Sequence, residues 1–205
     1  MDKFASSSGA RLFLAAVPDA GTAEQIHRLA GVLKRAHKFD GKLIPPERLH
    51  ISLYFLGGLP ERKIHAACEA ATEVRAERFE VSFDRTASFQ GRSDNRPFVL
   101  IGEDGSRRLQ SFRRMLGAAL TSRGLRRVTN TSFVPHVTLL YDARRVEEYP
   151  IWPIFWTVTE FVLIHSMKGH DTAHAGLCRH DRKLVEAVRM QACGGIISSR
   201  QASSP

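Results

Sequence analysis

The sequence predicts an α+β protein built from two similar lobes, and three observations carry that prediction. First, one tetrapeptide pattern occurs twice, as His50-Ile51-Ser52-Leu53 and His136-Val137-Thr138-Leu139, each reading His, β-branched aliphatic, hydroxyl, Leu. Second, the repetition extends beyond the motif. The two histidines lie 86 residues apart, and the same offset carries Arg11–Leu14 onto Pro97–Leu100, and Ile26, Leu29 and Ala30 onto Phe112, Met115 and Leu116. A strand, a helix stripe and a His-bearing strand thus recur in register without a gap, and internal repetition implies two like lobes. Third, strand-like and helix-like segments alternate, yet some neighbours, such as 79–90 and 97–101, read as hairpins. That favours two largely antiparallel sheets with helices outside over one doubly wound parallel sheet.

The elements follow in order. Residues 1–10 are polar and Ser-rich and read as a disordered N-terminus. Arg11–Val17 is a first strand, ended by Pro18. Thr22–Ala36 reads as a helix capped by Thr22, with Ile26, Leu29 and Leu33 on one face. Phe39–Glu47 is a loop, and Leu49–Leu56 is the first His strand, stopped by Gly57-Gly58. Pro60 opens a helix through about Arg75, since a proline at a helix start loses no hydrogen bond. Phe79–Phe83, Ala87–Gln90 and Pro97–Ile101 read as strand segments. Ser106 caps an Arg-rich helix that runs to about Ser122 and is ended by Gly124. Val134–Tyr141 is the second His strand, and Asp142–Pro153 reads as a polar, proline-punctuated connection carrying Trp152. Phe155–Ser166 is a long β-rich run, with a last strand expected near Ala173–Arg179. The expected organisation is one bilobal domain over 11–184 and a C-terminal tail over 185–205, partly disordered.

Composition bounds the class. Hydrophobic residues at 43% and charged residues at 25% suit a soluble globular unit. No apolar run approaches the ~20 residues that span a bilayer, so no membrane partner is expected. The three cysteines, Cys68, Cys178 and Cys193, are few and unpatterned, which fits cytoplasmic thiols. The net charge of +9 favours polyanionic partners. Much of the excess lies in one helix and its exit, at Arg107, Arg108, Arg113, Arg114, Arg123, Arg126 and Arg127, which reads equally as a solvated face or a phosphate-backbone contact.

Strand alternation puts His50 and Ser52 on one face, with Ile51, Leu53 and Phe55 on the other. His136 and Thr138 likewise share a face, opposite Val137, Leu139 and Tyr141. A single His-x-Ser/Thr in a strand is most often structural. Two of them facing one cleft would supply an acid, a base and two donors for an anionic oxygen.

The flanks of these motifs carry a resemblance. Pro46-Glu47-Arg48-Leu49-His50-Ile51-Ser52-Leu53-Tyr54-Phe55-Leu56-Gly57, Phe133-Val134-Pro135-His136-Val137-Thr138-Leu139 and Phe161-Val162-Leu163-Ile164-His165-Ser166 resemble the two-histidine phosphoesterase superfamily. The match is to its RNA 2′,3′-cyclic phosphodiesterase, or 2′-5′ RNA ligase, family. The resemblance covers roughly residues 11–184 and implies a pseudo-twofold bilobal fold around a central cleft. It implies His50 and His136 as acid and base, with Ser52 and Thr138 holding the phosphate. His136 would activate water and His50 would protonate the departing 3′ oxygen, leaving a 2′-phosphate; ligation is the same chemistry reversed. Three positions depart from the family pattern. Ser52 stands for the commoner Thr, His174 stands where an aromatic is usual, and Tyr141 stands where many members carry Arg, at an expected phosphate contact.

The expected partner is RNA with a 2′,3′-cyclic phosphate end, or a cyclic nucleotide, and the chain is expected to act as a monomer. Alternatives are a phosphodiesterase for a small cyclic nucleotide and a non-enzymatic RNA-binding module. No cofactor and no metal are expected. His165, His170, Asp171, His174, Cys178 and His180 cluster in sequence but match no zinc spacing. Tyr54, Phe133 and Tyr141 flank the motifs and are candidates for base stacking, with alternation turning Tyr141 toward the core. His27, His37 and His65 lie on or near helices and are expected to face solvent.

Overall fold

In chain order the elements are β1 (Ala10–Ala16), α1 (Ala20–His37), a 3-10 turn (Pro46–Arg48), β2 (Ile51–Gly57), α2 (Glu61–Glu73), β3 (Phe79–Ser88), β4 (Arg96–Ile101), α3 (Ser106–Ser122), β5 (His136–Asp142), β6 (Tyr149–Val158), β7 (Glu160–Lys168) and β8 (His180–Arg189). This computed structural model describes residues 10–57, 59–102, 106–125, 133–168 and 180–189. The strands pair antiparallel in the order β6-β3-β4-β5-β2-β1-β7-β8. The order is palindromic. Outward from the middle, β5-β4-β3-β6 on one side mirrors β2-β1-β7-β8 on the other. Two separate sheets were expected. Instead the halves join in one sheet, through the single registered pair Ile51 and Val137.

The repeat survives with one adjustment. Ala15 pairs with Ser52 and Val99 with Thr138, which equates Ala15 with Val99, an offset of 84 rather than 86. A slip of two preserves strand faces, so the sequence pattern hides it. The helices keep the offset of 86, from Ala20 to Ser106.

One face of the sheet is covered by helices. α1 packs on β5 and β6, α3 on β3 and β2, and α2 on α3. Phe83, Phe98, Phe112 and Phe161 are fully buried in this core, each worth ~1.5–3 kcal/mol of burial. The apparent run 155–166 is two strands. β6 pairs with β3 on one flank and β7 with β1 on the other, yet only Thr159 separates them. A residue spans at most ~3.6 Å, so the sheet curls until its flanks meet there. The Phe112 ring closes the gap, 5.7 Å from Phe79 and 5.1 Å from Phe161.

Several local expectations need correction. α1 is capped by Asp19, whose carboxylate accepts from the Thr22 backbone N–H at 2.9 Å and the Thr22 hydroxyl at 2.6 Å. Pro150 and Pro153 lie within β6, not in a loop; β6 is an edge strand, where a missing N–H costs nothing. Of the three helix-borne histidines only His65 is exposed. His27 Nδ1 is 3.0 Å from the Ile44 carbonyl, and His37 Nε2 is 2.6 Å from the Tyr149 hydroxyl. β8 runs to Arg189, past the expected domain end at 184, because its Lys, Arg and Glu content masked a strand that pairs with β7. The strand expected at 173–179 and the tail from 190 lie outside the described residues. Among the described residues no helix is long and apolar enough to cross a membrane.

The loop between α1 and β2 is fastened to the end of β5. The buried Asp142 carboxylate accepts from the backbone N–H of Asp40 at 2.7 Å, Gly41 at 2.8 Å and Arg144 at 2.9 Å. Burial raises this carboxyl, but the backbone bonds and Arg144 outweigh it and hold it below 3.8. Gly41 is there because a Cβ would sit 1.9 Å from the Tyr141 carbonyl oxygen. Gly41→Ala should therefore cost ~1–3 kcal/mol of stability, read by urea unfolding. Asp142→Asn should cost ~1.5–3 kcal/mol near neutrality, because the charge-assisted acceptor is lost. Since the folded carboxyl lies below its unfolded value, its contribution is present above 3.8 and disappears as pH falls through the folded value. The gap between Asp142→Asn and wild type should close over that acid range.

Candidate active site

The seam pair sets the geometry. Ile51 and Val137 are directly opposite and both fully buried, so both point into the helix-covered core. Their neighbours along each strand point the other way. His50, just before β2, and Ser52 within it, and His136 and Thr138 from β5, therefore share the open face at the seam, and all four are half-buried or exposed. Residues opposite one another across strands have Cβ atoms ~4.5–5.5 Å apart. The register at this pair sets Ser52 toward His136 and His50 toward Thr138.

Each imidazole is held by the same bond. His50 Nδ1 is 2.8 Å from the Arg48 carbonyl, and His136 Nδ1 is 2.8 Å from the Val134 carbonyl. A carbonyl only accepts, so Nδ1 carries the proton in both rings and Nε2 is the nitrogen that gains or loses one. His50 Nε2 is 3.1 Å from Ser52 Oγ, so the neutral ring accepts from that hydroxyl and the charged ring donates to it. A phenylalanine backs each ring, Phe13 at 5.2 Å from His50 and Phe89 at 5.0 Å from His136. Small apolar pads continue the open face on either side, Phe13, Ala15, Val162 and Ile164 in one half and Ala87, Phe89, Val99 and Ile101 in the other. Burial pushes His136 below the ordinary 6.5, with its bond to the Val134 carbonyl opposing the shift. The shift favours the neutral imidazole of His136.

Alternation fails just beyond the motifs. Ala15 pairs with Ser52 but Leu14 with Tyr54, so Leu53 is an extra residue, a β-bulge. Val99 pairs with Thr138 but Phe98 with Leu140, so Leu139 is the equivalent bulge. A bulge re-phases the side chains that follow it. Phe55 and Tyr141, expected on the core face, instead join the histidine face, 60% and 44% exposed. The sequence sign of this slip is two adjacent apolar residues, Leu53-Tyr54 and Leu139-Leu140, between a hydroxyl and an aromatic.

The same slip removes Tyr54 from base stacking. Tyr54 is buried, and its hydroxyl donates to the Arg113 carbonyl at 2.8 Å. Phe133 is half-buried, and the Arg113 guanidinium lies 4.5 Å from the centroids of both the Tyr54 and the Phe133 rings. Arg113 also donates to the Leu53 carbonyl at 3.0 Å, so this arginine braces the bulge. Arg123 is ion-paired to Glu69 and Glu73. Arg107, Arg108 and Arg114 of the basic helix are exposed, while Arg126 and Arg127 lie outside the described residues. Of the C-terminal cluster, His170, Asp171, His174 and Cys178 also lie outside them. Heteronuclear NMR of the histidine rings should show His136 titrating below 6.5, with both neutral rings in the Nδ1–H form. A neutral His136 protonated at Nε2 would contradict the carbonyl lock.

A family model described as the 2′-5′ RNA ligase superfamily matches residues 17–170. An Archaeoglobus fulgidus protein named RNA 2′,3′-cyclic phosphodiesterase is 31% identical over 130 residues, covering 63% of this chain and 70% of that protein. The crystal structure of E. coli LigT in apo form is similar with a TM-score of 0.66 and 27% identity, covering 90% of this chain and 99% of that one. LigT complexed with 3′-AMP is similar with a TM-score of 0.67 and 26% identity, over 89% and 99% of the two chains. A Thermus thermophilus protein shares the fold, with a TM-score of 0.71 at 18% identity over 90% and 100% of the chains. The doubled His-hydroxyl strands, their palindromic sheet and a family match over most of the chain agree: this protein belongs to the 2′-5′ RNA ligase superfamily.

Proposed function

We propose that the protein hydrolyses 2′,3′-cyclic phosphate ends of RNA to 2′-phosphates by acid–base catalysis, without a metal, in a cleft between its two halves. The observation that carries this reading is the shared lock on His50 and His136. It sets two Nε2 atoms and two hydroxyls, Ser52 and Thr138, on one face of one seam. His136 is the base: its depressed pKa keeps Nε2 unprotonated, so it takes a proton from the attacking water. His50 is the acid, and its protonated Nε2 delivers the proton to the 3′ oxygen as the P–O3′ bond breaks. Ser52 and Thr138 donate to the non-bridging oxygens. The name of the A. fulgidus relative and the 3′-AMP in one LigT structure support a nucleotide phosphate as substrate. With a ribose hydroxyl in place of water as the nucleophile, the same groups would join a 2′,3′-cyclic end to it as the P–O3′ bond breaks.

The test is kcat/KM against pH on an oligonucleotide with a 2′,3′-cyclic end, with and without EDTA. We expect a bell whose acid limb lies below 6.5, because the base must be neutral and His136 is shifted down. Chelation should leave the rate unchanged. His50→Ala and His136→Ala should each lose on the order of 10²-fold or more. The double variant should be little worse than either, since the pair acts as a unit. Ser52→Ala and Thr138→Ala should lose less and keep the shape of the bell. A monotonic profile, or a His136→Ala protein with near-normal rate, would overturn the assignment.

A further inference from the structure

The arginines of α3 divide into two sets. Arg113 is used inside the fold, and Arg123 is ion-paired to Glu69 and Glu73, which ties α3 to α2. Arg107, Arg108 and Arg114 are exposed, as are Arg75 and Arg78 in the connection from α2 to β3. Among the described residues none of these five forms an ion pair. Nor are they scattered. Arg75, Arg78 and Arg108 line one groove of about 460 Å³ between that connection and α3, opposed there by a single carboxylate, Glu77. Ser111 and Met115 continue the wall, and the buried Phe79 and Phe112, with rings 5.7 Å apart, lie beneath. On α3, positions 108, 111 and 115 form one stripe, and Arg107 and Arg114 lie together on the flank next to Ser111. The basic surface therefore runs on along the helix beyond the groove.

The groove lies on the helix-covered side of the sheet, away from the histidines. Ile101 pairs with His136 on one side and with Arg85 on the other, so β3 at Arg85 is two strands from the site. Phe79, at the groove, is six residues further along β3, roughly 20 Å at ~3.3 Å per residue. A mononucleotide seated between His50 and His136 cannot reach that far. Resting on the phosphodiesterase reading above, we propose that this groove is an exosite for the phosphate backbone of the RNA substrate, engaged only by chains long enough to run from a cyclic end at the histidines to the α3 face. The physical argument is charge and its arrangement. A guanidinium presents a planar fork that matches a phosphate, and unpaired arginines set side by side repel until a polyanion neutralises them. Among the described residues no buried, unpartnered donor lines the groove, so it suits a row of phosphates rather than one selected small anion. Such contacts carry no sequence information and position a chain of any sequence. A cyclic end tethered to a bound backbone meets the histidines at a raised effective concentration.

The experiment measures KM and kcat against salt for a 2′,3′-cyclic mononucleotide and for single-stranded oligonucleotides of increasing length with 2′,3′-cyclic ends. The proteins are wild type, a triple variant Arg75→Gln, Arg78→Gln and Arg108→Gln, the same three positions changed to Lys, and a charge-matched control, Arg28→Gln, Arg35→Gln and Lys38→Gln, on exposed positions of α1. We expect KM to fall with length in the wild type, by about tenfold at low salt for the longest chains. The groove triple to Gln should erase most of that gain and leave mononucleotide turnover unchanged. It should also flatten the plot of log KM against log salt by about 2, at ~0.7 per phosphate contact for single strands. The Lys triple should keep part of the gain, and the α1 control should keep nearly all of it. Fluorescence anisotropy with the longest oligonucleotide, ending in a 2′-phosphate, repeats the comparison as binding, independent of turnover. A KM independent of length, a length gain untouched by the Gln triple, or an equal loss in the α1 control overturns the exosite and leaves the phosphodiesterase reading standing. Displacement of the oligonucleotide by poly-glutamate at equal charge overturns it in favour of an acidic protein partner. No hydrolysis of any substrate, with groove-dependent oligonucleotide binding, overturns the phosphodiesterase reading and keeps the RNA-binding groove.

Discussion

Where the two halves of the sheet meet, β2 and β5 share one registered pair, Ile51 with Val137, and the site depends on it. Burying both aliphatic side chains in the core fixes which face of each strand looks outward. A slip of one residue on either strand would bury one histidine pair and expose an apolar pair. The core that enforces this register is shared. α1 lies on strands of the opposite half, α3 touches both halves, and Phe112 bridges Phe79 and Phe161 where the sheet curls closed. The halves cannot separate without opening that core.

On this frame the imidazoles need little further help. Their neutral tautomers are set by backbone carbonyls two residues upstream, at Arg48 and Val134, which strand geometry supplies at both copies. The halves are not electrically identical, however. Burial lowers His136, and a hydroxyl lies 3.1 Å from Nε2 of His50. The two imidazoles thus share one backbone lock but sit in different surroundings.

The bulges at Leu53 and Leu139 give each half a second outward-facing position without lengthening the strand's exposed face. Their cost is a lost ladder pair, and Arg113 compensates in one half by donating to the Leu53 carbonyl while covering the Tyr54 and Phe133 rings. In the other half the Ile44 N–H bonds the Leu139 carbonyl at 2.7 Å, and Asp142 and Gly41 hold the loop in place. Two different local solutions thus support the same displacement of an aromatic ring.

The sequence by itself determined the duplication, the order of strands and helices through β5, and the four polar residues of the repeated motif. Those are local matters: a period of two, a helical stripe and a repeated tetrapeptide need only neighbours in sequence to be visible. It also placed the ends of α2 and α3 within two residues, because Pro60 and Gly124 act on their own backbone. Tertiary structure alone decided that the halves share one sheet, that β1 and β4 are offset by 84, and that prolines sit in β6 because it is an edge. It alone moved Tyr54 into the core and Phe55 and Tyr141 out of it. A bulge is a mismatch between two strands, so it exists only in the pairing. In each strand's sequence the only trace is a doubled apolar step, Leu53-Tyr54 and Leu139-Leu140, and the partner strand decides that it is a bulge.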